Sequence, residues 1–275
     1  MQEGFKKSDI EILVATMNRD SLDFLASMFP FIHFSQFNIL VINQTSESKI
    51  LKSDYPSVRV INSFEKGLSK SRNLALSNAK GVLLLITDDD VIFEPDFADK
   101  IITAYNNSSE AALISFRVKT PQGKLFKKYP GSRVKNPGYM QFFNIMSVEM
   151  VINKKHLGDV KFDECFGLGS KFPMGEEAVF INELYSKKRL IVMEPETIVI
   201  HPEITTNSKV SVQEKYYIQG AFYTRLFGSK YYKWLLLKIV FDLKQQKIKL
   251  AEINTAFKYA RLGSKDLLSL HEDND

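Results

Sequence analysis

Residues 83 to 90 read Leu83-Leu84-Leu85-Ile86-Thr87-Asp88-Asp89-Asp90, an apolar run that ends in three consecutive carboxylates. The apolar part has the composition of a strand buried on both faces. Three unpaired acids at one strand end repel one another. A hard cation such as Mg²⁺ or Mn²⁺ relieves that repulsion by taking carboxylate oxygens on one side and phosphate oxygens on the other. Alternation along a strand puts Asp88 and Asp90 on one side of the chain and Asp89 on the other, which assigns the pair Asp88 and Asp90 to a cation site. The plain alternative is a solvated turn or a helix N-cap ahead of Pro95.

Upstream, Glu11 to Thr16, Phe37 to Asn43 and Val58 to Asn62 also read as strands. Between them, Ser21 to Met28, a weaker stretch near Ser46 to Ser53, and Leu68 to Ala79 read as helices. This βαβ rhythm predicts an α/β fold with a largely parallel sheet, whose ligands gather outside the carboxyl ends of the strands. Those ends are polar: Thr16-Met17-Asn18-Arg19, Asn43-Gln44-Thr45-Ser46, and the Asp triplet. A helix over Pro95 to Tyr105 and a strand over Ala111 to Val118 continue the pattern. Lys119 to Tyr139, rich in Pro, Gly, Lys and Ser, reads as a long surface loop. Order returns with Phe142 to Ile152, a Gly-rich stretch from Gly167 to Gly175, a helix Glu176 to Lys188 and a strand Leu190 to His201. After Asn207 the pattern is helical, aromatic and basic.

The chain has 275 residues, 44% of them hydrophobic and 25% charged, which suits one large soluble domain or one domain with an appendage. A single cysteine, Cys165, excludes an internal disulfide framework and points to a reducing, cytoplasmic setting. Met1 to Ile10 lacks the apolar run of a signal peptide, and the stretch Trp234 to Phe241 is too short for a membrane span. The net charge of +5 is unevenly placed: residues 209 to 265 carry 12 Lys and Arg against 3 Asp and Glu. That asymmetry fits an anionic partner or a solvated helix face. Glu272 to Asp275 reads as a frayed acidic tail.

Gly67-Leu68-Ser69-Lys70-Ser71-Arg72-Asn73, Ala79-Lys80-Gly81, the strand ending in Asp88-Asp89-Asp90, and Glu94-Pro95-Asp96-Phe97 follow one another in an order and spacing that resemble the donor half of family 2 glycosyltransferases of the GT-A fold. Val14 to Arg19, Phe162-Asp163-Glu164 and Gly175 to Phe180 extend the resemblance over residues 10 to 202. It implies a GT-A domain over residues 1 to 207, with a donor half at about 8–118 and an acceptor half at 119–207, followed by a basic helical extension, 208–275. It also implies a nucleotide-sugar donor, UDP-linked, held by Thr16, Asn18, Arg19, Asn43, Lys70, Arg72, Asn73, Asp88 and Asp89 around a Mn²⁺ or Mg²⁺ ion. The last aspartate of the motif, Asp90, is implied as the direct ligand, with Asp88 beside it and His201 completing the metal shell. One departure bears on the base: Asn43-Gln44 stands where the family has an aspartate, and an amide offers both a donor and an acceptor.

Inverting sugar transfer needs a base that takes a proton from the acceptor hydroxyl. Glu176 and Glu177 open a helix, where the dipole favours anions, so ordinary helix chemistry also accounts for the pair. The resemblance places Glu177 as the base and Glu176 as the group that holds the acceptor. It further implies a saccharide or lipid-linked acceptor in surface polysaccharide assembly. A nucleotidyltransferase acting on sugar phosphates would use similar carboxylates and metal, but would favour a Gly-rich, Lys-containing N-terminal loop that is lacking here. A nucleic-acid-binding protein would explain the basic extension and neither the Asp triplet nor the Glu pair. Lysines alternating with aromatic and aliphatic residues over 229–261 fit peripheral contact with an anionic membrane, or a face packed on the catalytic domain or on another subunit.

Overall fold

The computed structural model describes residues 4–202 and 210–272. The expected domain boundary at 207, the first residues Met1 to Glu3, and all of the acidic tail beyond Glu272 lie outside them. In chain order the elements are β1 Ile10–Met17, α1 Asp23–Met28, β2 Asn38–Gln44, β3 Val58–Ser63, α2 Leu68–Asn78, β4 Leu83–Asp88, β5 Ile92–Phe93, α3 Phe97–Asn106 and β6 Leu113–Lys119. There follow β7 Val134–Lys135, α4 Tyr139–Phe142, β8 Met150–Asn153, α5 Lys154–Leu157, α6 Glu176–Ser186, β9 Ile191–Ile200, α7 Val212–Phe227, α8 Tyr231–Lys244 and α9 Ile253–Glu272.

The strands form one sheet in the order β3-β2-β1-β4-β8-β6-β9-β5, with β7 on the flank of β9. β4 sits near its middle and explains the apolar run: Leu83 and Leu85 enter one core, with Val14, Val41, Ile101 and Tyr105, whereas Leu84 and Ile86 enter the other, with Leu40, Leu76, Phe180 and Leu184. The period of two thus feeds both faces. α1 and α3 cover one, α2 and α6 the other, in the layering typical of α/β domains.

β3, β2, β1 and β4 are parallel, and their register aligns Thr16 with Asn43 and Ala15 with Asp88 at one edge. The parallel alignment brings the polar ends of β1, β2 and β4 to this edge. β8 departs from the expected parallel pattern. It runs antiparallel between β4 and β6, so the stretch Phe142 to Ile152 is the end of α4, a 3₁₀ turn at Ser147–Glu149 and part of a short strand. The helix expected near Ser46 to Ser53 is absent. Polar side chains compete with the backbone there: the Thr45 hydroxyl donates to the Lys49 carbonyl at 2.6 Å, and the Asn62 amide binds both backbone groups of Leu51. The loop after β6 is pinned by β7 on β9.

Behind the sheet the last three helices form a layer of their own. α7 and α9 cross so closely that a Cβ on Gly220 would lie 1.9 Å from the Ala260 carbonyl oxygen, and one on Gly263 equally near that of Tyr217. Ile218, Ala221 and Leu267 pack on Phe166, Phe172 and Val179, which joins this layer to the segment leading into α6. Gly220→Val should therefore lower stability by at least ~3 kcal/mol, the upper range of core overpacking, in a urea titration. An unchanged midpoint would contradict the crossing.

Candidate active site

The triplet at the end of β4 is divided among four partners. Asp88 lies 3.4 Å from Arg72 Nη2. Asp89 accepts from the Thr16 hydroxyl at 2.5 Å and from Arg19 Nε at 2.8 Å. Asp90 faces His201 Nε2 at 3.5 Å. The strand ends at Asp88, yet the turn after it keeps the alternation: Asp88 and Asp90 share one side, and Asp89 turns to β1.

His201 closes β9 and is buried, with Nδ1 2.6 Å from the Pro202 carbonyl oxygen. That carbonyl can only accept, so Nδ1 carries the proton, and in the neutral ring Nε2 presents a lone pair to Asp90. Two acceptors facing each other need a proton or a cation between them. The contact accordingly raises His201 above the usual histidine range and lowers Asp90 below the carboxylate range. Carboxylate and imidazole together suit a Mn²⁺-type ion, so the donor set fits a metal.

Arg72 ties the other side together. Its guanidinium is fully buried and lies 3.1 Å from Glu176, 3.5 Å from Glu177 and 2.8 Å from the Ser147 hydroxyl, as well as near Asp88. The Phe162 ring lies 5.5 Å beneath it. Arg72, expected at the donor, joins the Asp triplet to the Glu pair. Glu176 and Glu177 occupy the first turn of α6, where the helix dipole supports negative charge. The N-cap is Gly175 at φ +95°, and a Cβ there would meet the Phe222 ring at 2.8 Å, so this turn admits only glycine. Burial and the adjacent Glu177 charge hold Glu176 above the ordinary range despite Arg72. Glu177 is less covered and borders a cleft of about 510 Å³ that Phe143, Met146, Met174 and Phe222 also line.

Three residues expected at the donor are engaged within the protein. The buried Asn43 amide is spent on the Arg19 backbone and on Asn62, where it latches the turn after β1. Asn73 spends its amide on both backbone groups of Phe162 and on Glu164. Lys70 is paired with Glu65 at 2.6 Å on the exposed start of α2. Asn18 stays at the crevice, with a left-handed backbone (φ 54°) and its N–H donated to the Gln44 carbonyl. Ser147 and Gln44 were missed. Ser147 sits in an apolar stretch without a motif, and Gln44, whose side chain accepts from the Gly67 N–H at 2.7 Å, is legible only as part of a polar strand end.

Asp163, Cys165 and His271 also come within 4.8 Å of one another, away from this edge. Arg225 occupies the Asp163 carboxylate at 2.7 Å, and burial pushes the Cys165 thiol up to about 11, so the group serves as a latch between α7, α9 and the segment before α6.

A family profile described as glycosyl transferase family 2 matches residues 7–168, more than half of the chain. The chain belongs to glycosyl transferase family 2. Solved structures agree in fold. Residues 1–349 of S. aureus TarS align at 17% identity over 91% of this chain and 78% of that one, with a TM-score of 0.53. The same protein in complex with UDP-GlcNAc aligns at 15% identity over 91% and 79%, with a TM-score of 0.56. Its complex with UDP gives 16% identity over 94% and 88%, and a TM-score of 0.55. No curated protein matches the sequence. The structure thus has the GT-A type of α/β fold, and the chain is a glycosyltransferase.

Removing the cation that the three carboxylates share leaves buried charge unpaired. Arg72→Met should cost about 3–5 kcal/mol in urea denaturation, the usual penalty for breaking a buried ion pair from one side. A loss below about 1 kcal/mol would show that the carboxylates do not depend on it.

Proposed function

We propose that this glycosyltransferase moves a sugar from a UDP-sugar to an acceptor hydroxyl with inversion at the anomeric carbon. The observation that carries the proposal is the edge of the sheet itself: Asp88, Asp90 and the Nε2 lone pair of His201 converge on one side, and Glu177 lies across Arg72 from them. Asp90, Asp88 and His201 would hold Mn²⁺ or Mg²⁺. When bound, the ion supplies positive charge to the diphosphate that leaves. Thr16, Asn18 and Arg19, with Asp89 fixing Arg19, border the nucleotide. The two TarS complexes with UDP and UDP-GlcNAc favour uridine for the base and give UDP-GlcNAc as the first donor to test.

Glu177 is the base. Its carboxylate borders the cleft and takes the proton from the acceptor hydroxyl as the new glycosidic bond forms and the bond to the diphosphate breaks. Glu176, more deeply buried and raised in proton affinity, orients the acceptor. Arg72 holds both carboxylates beside the donor side through its ion pairs at 3.1 and 3.5 Å. The cleft is large enough for a saccharide and has aromatic walls, which suits a saccharide or lipid-linked saccharide of surface polysaccharide assembly at the cytoplasmic side of a membrane. In domain terms, residues 1–207 carry the chemistry and 208–275 support it.

The test is release of UDP from UDP-GlcNAc and other UDP-sugars with Mn²⁺ and a saccharide acceptor. Glu177→Gln keeps the size and removes proton acceptance, so turnover should fall by about 100-fold or more while thermal stabilisation by the donor persists. Undiminished turnover in this variant would overturn the assignment of the base.

A further inference from the structure

α8 presents two different faces. Leu235 and Ile239 pack inward on Tyr216, Ala256 and Ala260. Tyr232, Leu236, Leu237, Val240 and Phe241 point outward, each more than half exposed. They fall in two adjacent rows at helical spacing, 232-236-240 and 237-241, and so form one continuous apolar stripe. A stripe of this kind on a water-facing helix marks a contact surface.

The charges around the stripe are of one sign. Lys230, Lys233, Lys244, Lys247 and Lys249 are all exposed at its ends, and none of them forms an ion pair among the described residues. Between residues 228 and 250 the only acid is Asp242, which is buried and held by Lys215 at 2.6 Å and Lys238 at 2.7 Å. The exposed face of α8 therefore offers apolar side chains flanked by lysine and no carboxylate of its own; the next acid along the chain, the half-buried Glu252, is held by the Lys249 backbone N–H at 2.7 Å. A second copy presenting the same face would supply nothing to pair with those lysines. A nucleic acid would meet the lysines but leave the aliphatic middle in contact with phosphates and water. An anionic bilayer satisfies both parts, because the stripe enters the acyl boundary while the lysines reach the headgroups. No helix among the described residues is long and apolar enough to cross a membrane.

The stripe also leads to the cleft. Trp234, at the start of α8, stacks on Phe227 at 4.5 Å, and Phe227 lies 6.3 Å from Phe143, which lines the cleft beside Glu177. We propose that this face of α8 docks the enzyme on an anionic membrane surface and brings the cleft to an acceptor held in that membrane. The nature of the acceptor rests on the sugar-transfer reading above; the docking itself does not.

Flotation of the full chain with vesicles tests it, using phosphatidylcholine alone and phosphatidylcholine with one quarter phosphatidylglycerol. The protein should float at low salt only with the anionic vesicles, and salt should release it as screening shortens. Lys233→Ala with Lys244→Ala should weaken partitioning by about 25-fold, two steps of about 1 kcal/mol for two basic residues near an anionic leaflet. Leu237→Ser should weaken it at unchanged melting temperature. Equal flotation with both vesicles, no flotation at low salt, retention on RNA without flotation, or a dimer that Leu237→Ser splits would each overturn the proposal. Stabilisation by UDP, measured on the same preparations, reports separately on the transfer reading, since it does not involve α8.

Discussion

The site depends on one buried guanidinium. Three carboxylates from two distant parts of the chain, Asp88 and the pair Glu176 and Glu177, approach a common centre, and nothing in a packed interior tolerates that without a compensating charge. Arg72 supplies it from α2, with Ser147 taking a further N–H. The Gly67-to-Asn73 stretch is thereby more than a run leading into the strand of the Asp triplet. It carries the cation that joins the donor edge of the sheet to the start of α6, while Asn73 fixes the segment 162–164 that leads there. A charge-neutral substitute would let the two ends of the site move apart.

The division of labour within the triplet follows from the same electrostatics. Asp88 is neutralised from inside by Arg72, and Asp89 from outside by Arg19 and Thr16. Asp90 alone is left to a partner, His201, that presents a lone pair when neutral. The triplet is thus stable as a folded element, and Asp90 with His201 leaves one position whose donor set suits a cation.

Much of this was legible beforehand because period and polarity carry it. The two-residue alternation of Leu83 to Ile86 feeds two separate cores, which is why the run marks a central strand, and the polar ends of β1, β2 and β4 do meet at one edge. What could not be read depends on partners far away in sequence. Asn43, Asn73 and Arg72 look like ligand-binding residues at their motif positions, and each is consumed by groups elsewhere in the chain: Asn62, Phe162 and Glu176 among them. Ser147 has no local signature because its role exists only once Arg72 is buried beside it. The apparent helix at Ser46 to Ser53 was lost to polar side-chain competition with the backbone, a contest that hydrophobic pattern does not register. Likewise, the reversal of β8 depends on which strands flank it, and its sequence is equally apolar in either direction.

The central claim is that Asp90, Asp88 and His201 form a cation site completed by a diphosphate. Calorimetric titration of Mn²⁺ into the protein, with and without UDP, measures it most directly. Because coupling between two ligands at one site is reciprocal, the account predicts that UDP tightens Mn²⁺ binding by about tenfold or more, and that Asp90→Ala abolishes the gain. Mn²⁺ affinity that is the same with and without UDP, or a gain that survives in Asp90→Ala, would contradict it.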